Sequence, residues 1–104
     1  MRLVFLVTAI EDMTAIRSFI AEDNPEAAKK VAARLKEIIN SLAQLPNLGK
    51  PGRVFGTREL VIPHLGKTAY FVVYRVKNKR IEILRVLHGA RDIDSLIGEE
   101  EENS

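Results

Sequence analysis

Apolar residues at Ile10, Met13, Ile16, Phe19 and Ile20 recur in steps of three and four, the spacing that lines one face of a helix. Asn24-Pro25 interrupts that pattern. Asparagine is a good N-cap because its side-chain oxygen accepts from an unpaired amide. Proline suits the first helical position, where no N–H is needed. A second helix is therefore predicted to follow, with Ala28, Val31, Leu35, Ile38 and Leu42 inward and Lys29, Lys30, Arg34 and Lys36 outward, ending near Leu45-Pro46. The short turn between the helices folds them into an antiparallel hairpin. The largely apolar run Met1 to Val7 ahead of them reads as a first strand.

From residue 46 the period changes. Residues 46–57 are rich in glycine and proline and read as a loop. Arg58 to Ile62 is predicted as a strand ending at Pro63, a loop runs over residues 64–67, and strands follow at Ala69 to Val76 and Ile81 to Leu87. With Asn78-Lys79 as a two-residue turn, Val76 faces Ile81 and Arg75 faces Glu82, an opposite-charge pair across the strands. The same register sets Val73 against Leu84 and Phe71 against Val86, and that face is expected to lie under the helices. The other face carries Tyr70, Val72, Tyr74, Ile81, Ile83, Arg85 and Leu87, too apolar to stay wet. The expectation is an α+β fold: an N-terminal strand, a helical hairpin, then antiparallel strands in one sheet with helices on one face. Tyr70, Val72, Tyr74 and Ile83 are expected to bind a protein partner, with folding back of the C-terminal segment as the alternative.

Composition narrows the setting. The 104 residues fit one domain, read as residues 1–98, followed by an acidic tail at 99–104 that is expected to be solvated. No apolar run approaches the roughly 18 residues of a membrane span. The stretch Met1 to Val7 is too short for a signal peptide, so a cytoplasmic protein is expected. Absence of cysteine removes disulfide and thiolate chemistry. No histidine has a second ligand spaced for zinc, and no cofactor or metal site is expected.

The net charge of +2 conceals a segregation. Acidic and basic residues balance over residues 1–49, whereas 50–91 hold ten basic side chains against two acidic ones, Glu59 and Glu82. Such a field attracts polyanions or an acidic partner. Lys50, Arg53, Lys67 and Lys77 are the candidate polyanion contacts.

Four stretches carry a resemblance: Ile20-Ala21-Glu22-Asp23-Asn24-Pro25-Glu26-Ala27-Ala28, Gly56-Thr57-Arg58-Glu59-Leu60, Val73-Tyr74-Arg75-Val76, and the run from Ile83 to Asp92. In this order and spacing the chain resembles the RelE/ParE superfamily of bacterial toxins. The resemblance implies a toxin of a type II toxin–antitoxin system that arrests growth until a cognate antitoxin wraps it in a hetero-oligomer. RelE-like members cut messenger RNA on the ribosome; ParE-like members inhibit DNA gyrase.

Metal-free RNA cleavage requires a base for the 2′-hydroxyl, cations for the phosphorane and an acid for the leaving oxygen. Arg58, Arg85, His88 and Arg91 are the candidates, with Glu59 as a candidate base. His88 matches the position of a catalytic histidine in some of these nucleases, and its alternative role is to cap the strand through the backbone. Two features depart from the nuclease pattern: Phe71 stands where an arginine is usual, and no tyrosine follows Tyr74. The resemblance therefore leans towards gyrase inhibition, with ribosome-dependent cleavage as the alternative.

Overall fold

The computed structural model describes residues 1–92. Strand β1 (Arg2–Phe5) leads into helices α1 (Val7–Ala21) and α2 (Pro25–Asn40) and a short 3₁₀ turn (Ser41–Ala43). Strands β2 (Lys50–Pro51), β3 (Arg58–Leu65), β4 (Thr68–Lys77) and β5 (Arg80–His88) follow. They form one five-stranded sheet in the order β1-β5-β4-β3-β2, with β1 parallel to β5 and the remaining pairs antiparallel. Residues 89–92 are helical. The expected α+β architecture is thus present. The domain boundary at residue 98 and the acidic tail at 99–104 lie outside the described residues.

The helix junction follows the local chemistry of its residues. Asn24 Oδ1 accepts from the Ala27 amide at 3.1 Å and Pro25 opens α2. Ala28, Val31, Leu35 and Ile39 form the buried stripe, and Leu42 completes it from the 3₁₀ turn. In α1 the buried positions are Ala9 and Ile16, with Met13 and Ile20 packed at the margin. Ile10 and Phe19, predicted on the stripe, are 53% and 44% exposed. Ala9 takes the inward place predicted for Ile10, while Met13, Ile16 and Ile20 keep theirs.

The β4–β5 hairpin begins in the predicted register. Asn78 and Lys79 both have positive φ (54° and 59°), and Lys77 pairs with Arg80, Val76 with Ile81 and Arg75 with Glu82. An extra residue in β5 then shifts the ladder, so Tyr74 opposes Ile83 but Val73 opposes Arg85 and Phe71 opposes Leu87. The predicted Val73–Leu84 and Phe71–Val86 pairs are therefore displaced by one residue.

The face assignment is reversed as well. Tyr70, Val72, Tyr74 and Ile83 are 1%, 0%, 0% and 0% exposed, in one core with Ile16, Leu35, Ile39 and Leu42. They cannot form the partner-binding face predicted for them. Both faces of β4 are apolar, so alternation alone could not choose the inner one; the β5 bulge then carries Arg85 and Leu87 outward with Phe71 and Val73. Val61 on that outer face is 40% exposed and Phe71 and Val73 are partly exposed.

Strand β3 continues through Pro63 to Leu65, beyond its predicted end. Its pairing with β4 is irregular between Ile62 and Leu65, and β2 pairs only with Arg58 and Glu59. Proline is tolerated at such an irregular, largely unpaired edge because no ladder amide is needed there.

The free half of β5 is covered differently. Where β1 ends, Leu6 and the first turns of α1 supply the missing partners. The Leu6 amide donates to the Ile83 carbonyl (3.0 Å), Thr8 Oγ1 donates to the Leu84 carbonyl (2.8 Å), and the Val86 amide donates to Asp12 Oδ2 (3.0 Å). Side chains of the first helix thus satisfy an edge that would otherwise template foreign strands.

Candidate functional site

The strand register locates the candidate residues that lie on strands. Glu59, Val73 and Arg85 stand in one row across the outer face, with Lys50 beside Glu59 on β2. Two strand spacings separate Glu59 from Arg85, roughly 10 Å between backbones. Arg58 shares the inner face with Tyr74, and His88 shares it with Tyr70, four residues away along β4. That is roughly 13 Å along the strands, with two further strand spacings across. General acid–base transfer needs heavy atoms about 3 Å apart. The predicted catalytic set of Arg58, Glu59, Arg85, His88 and Arg91 is therefore spread over both faces and both ends of the sheet.

The arginines are also occupied. Arg58 donates Nε to the Gly49 carbonyl (2.9 Å) and Nη2 to the Asn47 carbonyl (3.2 Å), holding the connector after the 3₁₀ turn. Arg85 grips both oxygens of Asp12 at 2.7 and 3.1 Å, which raises its own pKa further, the hydrogen bond outweighing burial. Arg91 does the same with Asp92 at 2.8 and 3.1 Å and stands 5.5 Å from the Phe19 ring centroid, a cation–π distance. Arg75 and Arg80 both hold Glu82, whose carboxyl their hydrogen bonds keep below the usual range although the residue is only 2% exposed. Arg53 pairs with Glu59 through a 3.6 Å contact, and its amide donates to Glu59 Oε2 at 2.9 Å. Of the predicted polyanion contacts, Lys50, Lys67 and Lys77 make no ion pair among the described residues. Lys67 lies in the β3–β4 turn and Lys77 at the β4–β5 turn, at opposite ends of the strands. No single groove gathers them.

His88 is 6% exposed, between the edges of Phe19 and Tyr70 with ring centroids 5.3 and 5.2 Å away. Its Nδ1 accepts from the Arg91 amide at 3.2 Å, so the neutral ring carries its proton on Nε2. Its own amide donates to Asp92 Oδ2 at 2.7 Å. Burial first, then the Arg91 charge, push its pKa below the ordinary value, with Asp92 opposing. Burial also raises the Tyr70 hydroxyl. Burial would raise Asp92 too, but hydrogen bonds from Arg91 and the His88 amide hold it below the usual carboxylate range. The site is a strand cap: His88 and Asp92 satisfy the chain where β5 turns into helix, the alternative role read for this histidine. A cavity of about 310 Å³ borders it, lined by Phe19, Ile20, Val31, Leu65, Tyr70 and His88 among others.

A pH dependence follows. The folded His88 pKa lies below its unfolded value of about 6.5, so the unfolded chain takes the proton first as pH falls. Stability should be level above that value, decline as pH drops through it, and stop declining for this reason below the folded pKa. Glu82 and Asp92 contribute stability that is present above their unfolded range near 4 and is lost on further acidification. Urea melts between pH 7.5 and 5 should show the first slope in the wild type and lose it in His88→Gln. An unchanged slope in the variant would remove His88 as its source.

Two parts of the site were not anticipated. Asp12, the residue that holds Arg85, is 73 positions away in the chain, and no local pattern marks it. The second is Phe55, 103% exposed in the loop between β2 and β3. An aromatic residue bracketed by Gly52 and Gly56 was a visible signal, read only as loop.

Comparison with known proteins agrees with this architecture. The family model for the ParE toxin of the type II toxin–antitoxin system parDE matches residues 3–93. Y4kP of Sinorhizobium fredii is 36% identical over 87 residues, 84% of this chain and 86% of that one. Toxin RelE2 of Caulobacter vibrioides is 33% identical over 90 residues, 86% of this chain and 97% of that one. Among solved structures, a chain of the chromosomal ParDE toxin–antitoxin system of P. aeruginosa superposes with a TM-score of 0.74 at 32% identity, covering 86% of this chain and 96% of that one. The helix junction, the sheet and the extent of the match lead to one conclusion: the chain belongs to the ParE toxin family of type II toxin–antitoxin systems, within the RelE/ParE superfamily.

Proposed function

We propose that this toxin arrests growth by contact with DNA gyrase rather than by cutting messenger RNA, and that a cognate antitoxin neutralises it. The observation that carries the first half is the dispersal of the candidate catalytic residues. Arg58 and His88 lie on the helix-covered face, Glu59 and Arg85 on the other, and the arginines are already held by carboxylates or carbonyls. A phosphorane needs converging, unpaired cations. Inhibition by binding needs only a surface.

The antitoxin reading is supported by the outer face of the sheet. Val61, Phe71 and Val73 remain partly exposed there, although Leu87 on the same face is buried. This is the surface that a wrapping partner would shelter, in place of Tyr70, Val72, Tyr74 and Ile83. No helix among the described residues is long and apolar enough to cross a membrane.

Purified protein added to gyrase and relaxed plasmid should block supercoiling. Induction in cells should leave messenger RNA ends unphased with codons. Codon-phased cuts with supercoiling intact would replace this reading with ribosome-dependent cleavage.

A further inference from the structure

Residues 52–57 form a loop whose geometry is fixed by its own hydrogen bonds. The Gly52 amide donates to the Thr57 carbonyl at 2.8 Å, and the Thr57 amide and Oγ1 donate to the Val54 carbonyl at 3.1 and 2.7 Å. The Arg53 amide is held by Glu59 at 2.9 Å. Gly56 turns the chain at φ +85°, a conformation that side chains with a Cβ rarely adopt. These contacts order the loop without burying its tip: Phe55 is 103% and Val54 67% exposed, and in the preceding connector Leu45 and Leu48 are 55% and 49% exposed.

The surroundings are basic. Arg58 pairs with Tyr74 near the C-terminal end of β4, so the loop stands at the same end of the sheet as the β4–β5 turn. Lys50, Lys77 and Lys79 are exposed there and make no ion pair among the described residues. An aromatic side chain held in water on an ordered loop, at the end of the sheet that carries Lys50, Lys77 and Lys79, has the composition of an interface anchor: large apolar area on a backbone already fixed, with positive charge on the same side.

We propose that the 52–57 loop is a docking finger and that Phe55 seats in an apolar, acid-rimmed pocket of the toxin's protein target. This rests on the reading of the toxin as a protein-directed inhibitor, and adds the part of the surface that makes the contact. A protein pocket accounts for the adjacent exposed aliphatic Val54, which has no π-face to stack on a nucleobase. The target rather than the antitoxin is the occupant, because a protruding ring requires a concavity.

The test is a substitution series at Phe55 in the full chain. Phe55→Ser removes no internal contact of the fold, so its urea midpoint should match the wild type. Growth arrest on induction should be lost, and the concentration needed to inhibit gyrase should rise about 30-fold, the change expected of an interface anchor worth ~2 kcal/mol. Phe55→Leu, which keeps apolar volume without a ring, should stay within about tenfold of the wild type. Full growth arrest by Phe55→Ser overturns the proposal whatever the target is. Loss of arrest in Phe55→Leu equal to that in Phe55→Ser, with Phe55→Trp active, points to base stacking and also overturns it. If wild-type protein leaves gyrase unaffected, the gyrase reading fails alone, and the growth-arrest series still decides the role of Phe55.

Discussion

Tyr74→Ala is expected to lower the unfolding free energy by about 3–5 kcal/mol, the usual range for emptying a buried aromatic site. Tyr74→Phe should lower it by about 1–3 kcal/mol, the cost of leaving buried polar groups without partners. The ring is fully buried between the helices and the sheet. Its hydroxyl is equally committed: it accepts from the Gly49 amide at 2.8 Å and donates to the Pro46 carbonyl at 2.9 Å. Gly49 is pressed so closely that a Cβ there would lie 2.8 Å from the tyrosine ring and 2.9 Å from the Glu59 carbonyl. One side chain therefore ties the core to the connector that leads into the Phe55 loop. In a domain of this size each 1 kcal/mol moves the melting temperature by about 4–8 °C, so both variants are resolvable by calorimetry. If Tyr74→Phe melted with the wild type, water or another group would be satisfying Gly49 and Pro46, and the tie would not depend on the hydroxyl.

Asp12→Ala is expected to cost about 1–3 kcal/mol, the range for a hydrogen bond to a charged group plus an amide left without an acceptor. Asp12 accepts from the Val86 amide and from both ends of the Arg85 guanidinium. The ion pair alone would contribute ~0–1 kcal/mol, because the Arg85 side chain is 47% exposed. Most of the loss thus belongs to Val86, on the edge of β5 that β1 does not reach. Asp12→Asn keeps an oxygen for that amide and should cost less, and Arg85→Ala should cost less still. A double-mutant cycle in urea would separate the two contributions. If Arg85→Ala destabilised as much as Asp12→Ala, the guanidinium and not the edge amide would be the principal term. Arg85→Glu is a poor probe of toxicity, since it would set a carboxylate against Asp12 and confound folding with function.

The helical hairpin was legible in the chain because its determinants are local. Asn24 and Pro25 build their cap from neighbouring atoms, and three- and four-residue steps locate the start and buried stripe of α2, although the helix ends at Asn40 rather than near Leu45 and buries Ile39 more deeply than Ile38. The β4–β5 turn was legible for the same reason: Asn78-Lys79 sets the pairing of the residues nearest to it. Legibility failed beyond the turn. One inserted residue in β5 changed the face of Arg85 and Leu87, and nothing in the local pattern marked it. The site fared likewise. Arg58, Arg85 and Arg91 were recognised as cations, but Gly49, Asp12 and Asp92, which occupy them, were not.

The order of apolar and polar positions, acting through cap, turn and period, determined the elements, the α+β class and the kinship with ParE toxins. The tertiary structure decided which face of β4 is inside, which cations remain unpaired, and that His88 closes a strand while Phe55 stands in water. Elements arise from contacts a few residues apart, which the chain order contains. Burial and charge pairing arise from residues that meet only after the sheet has folded.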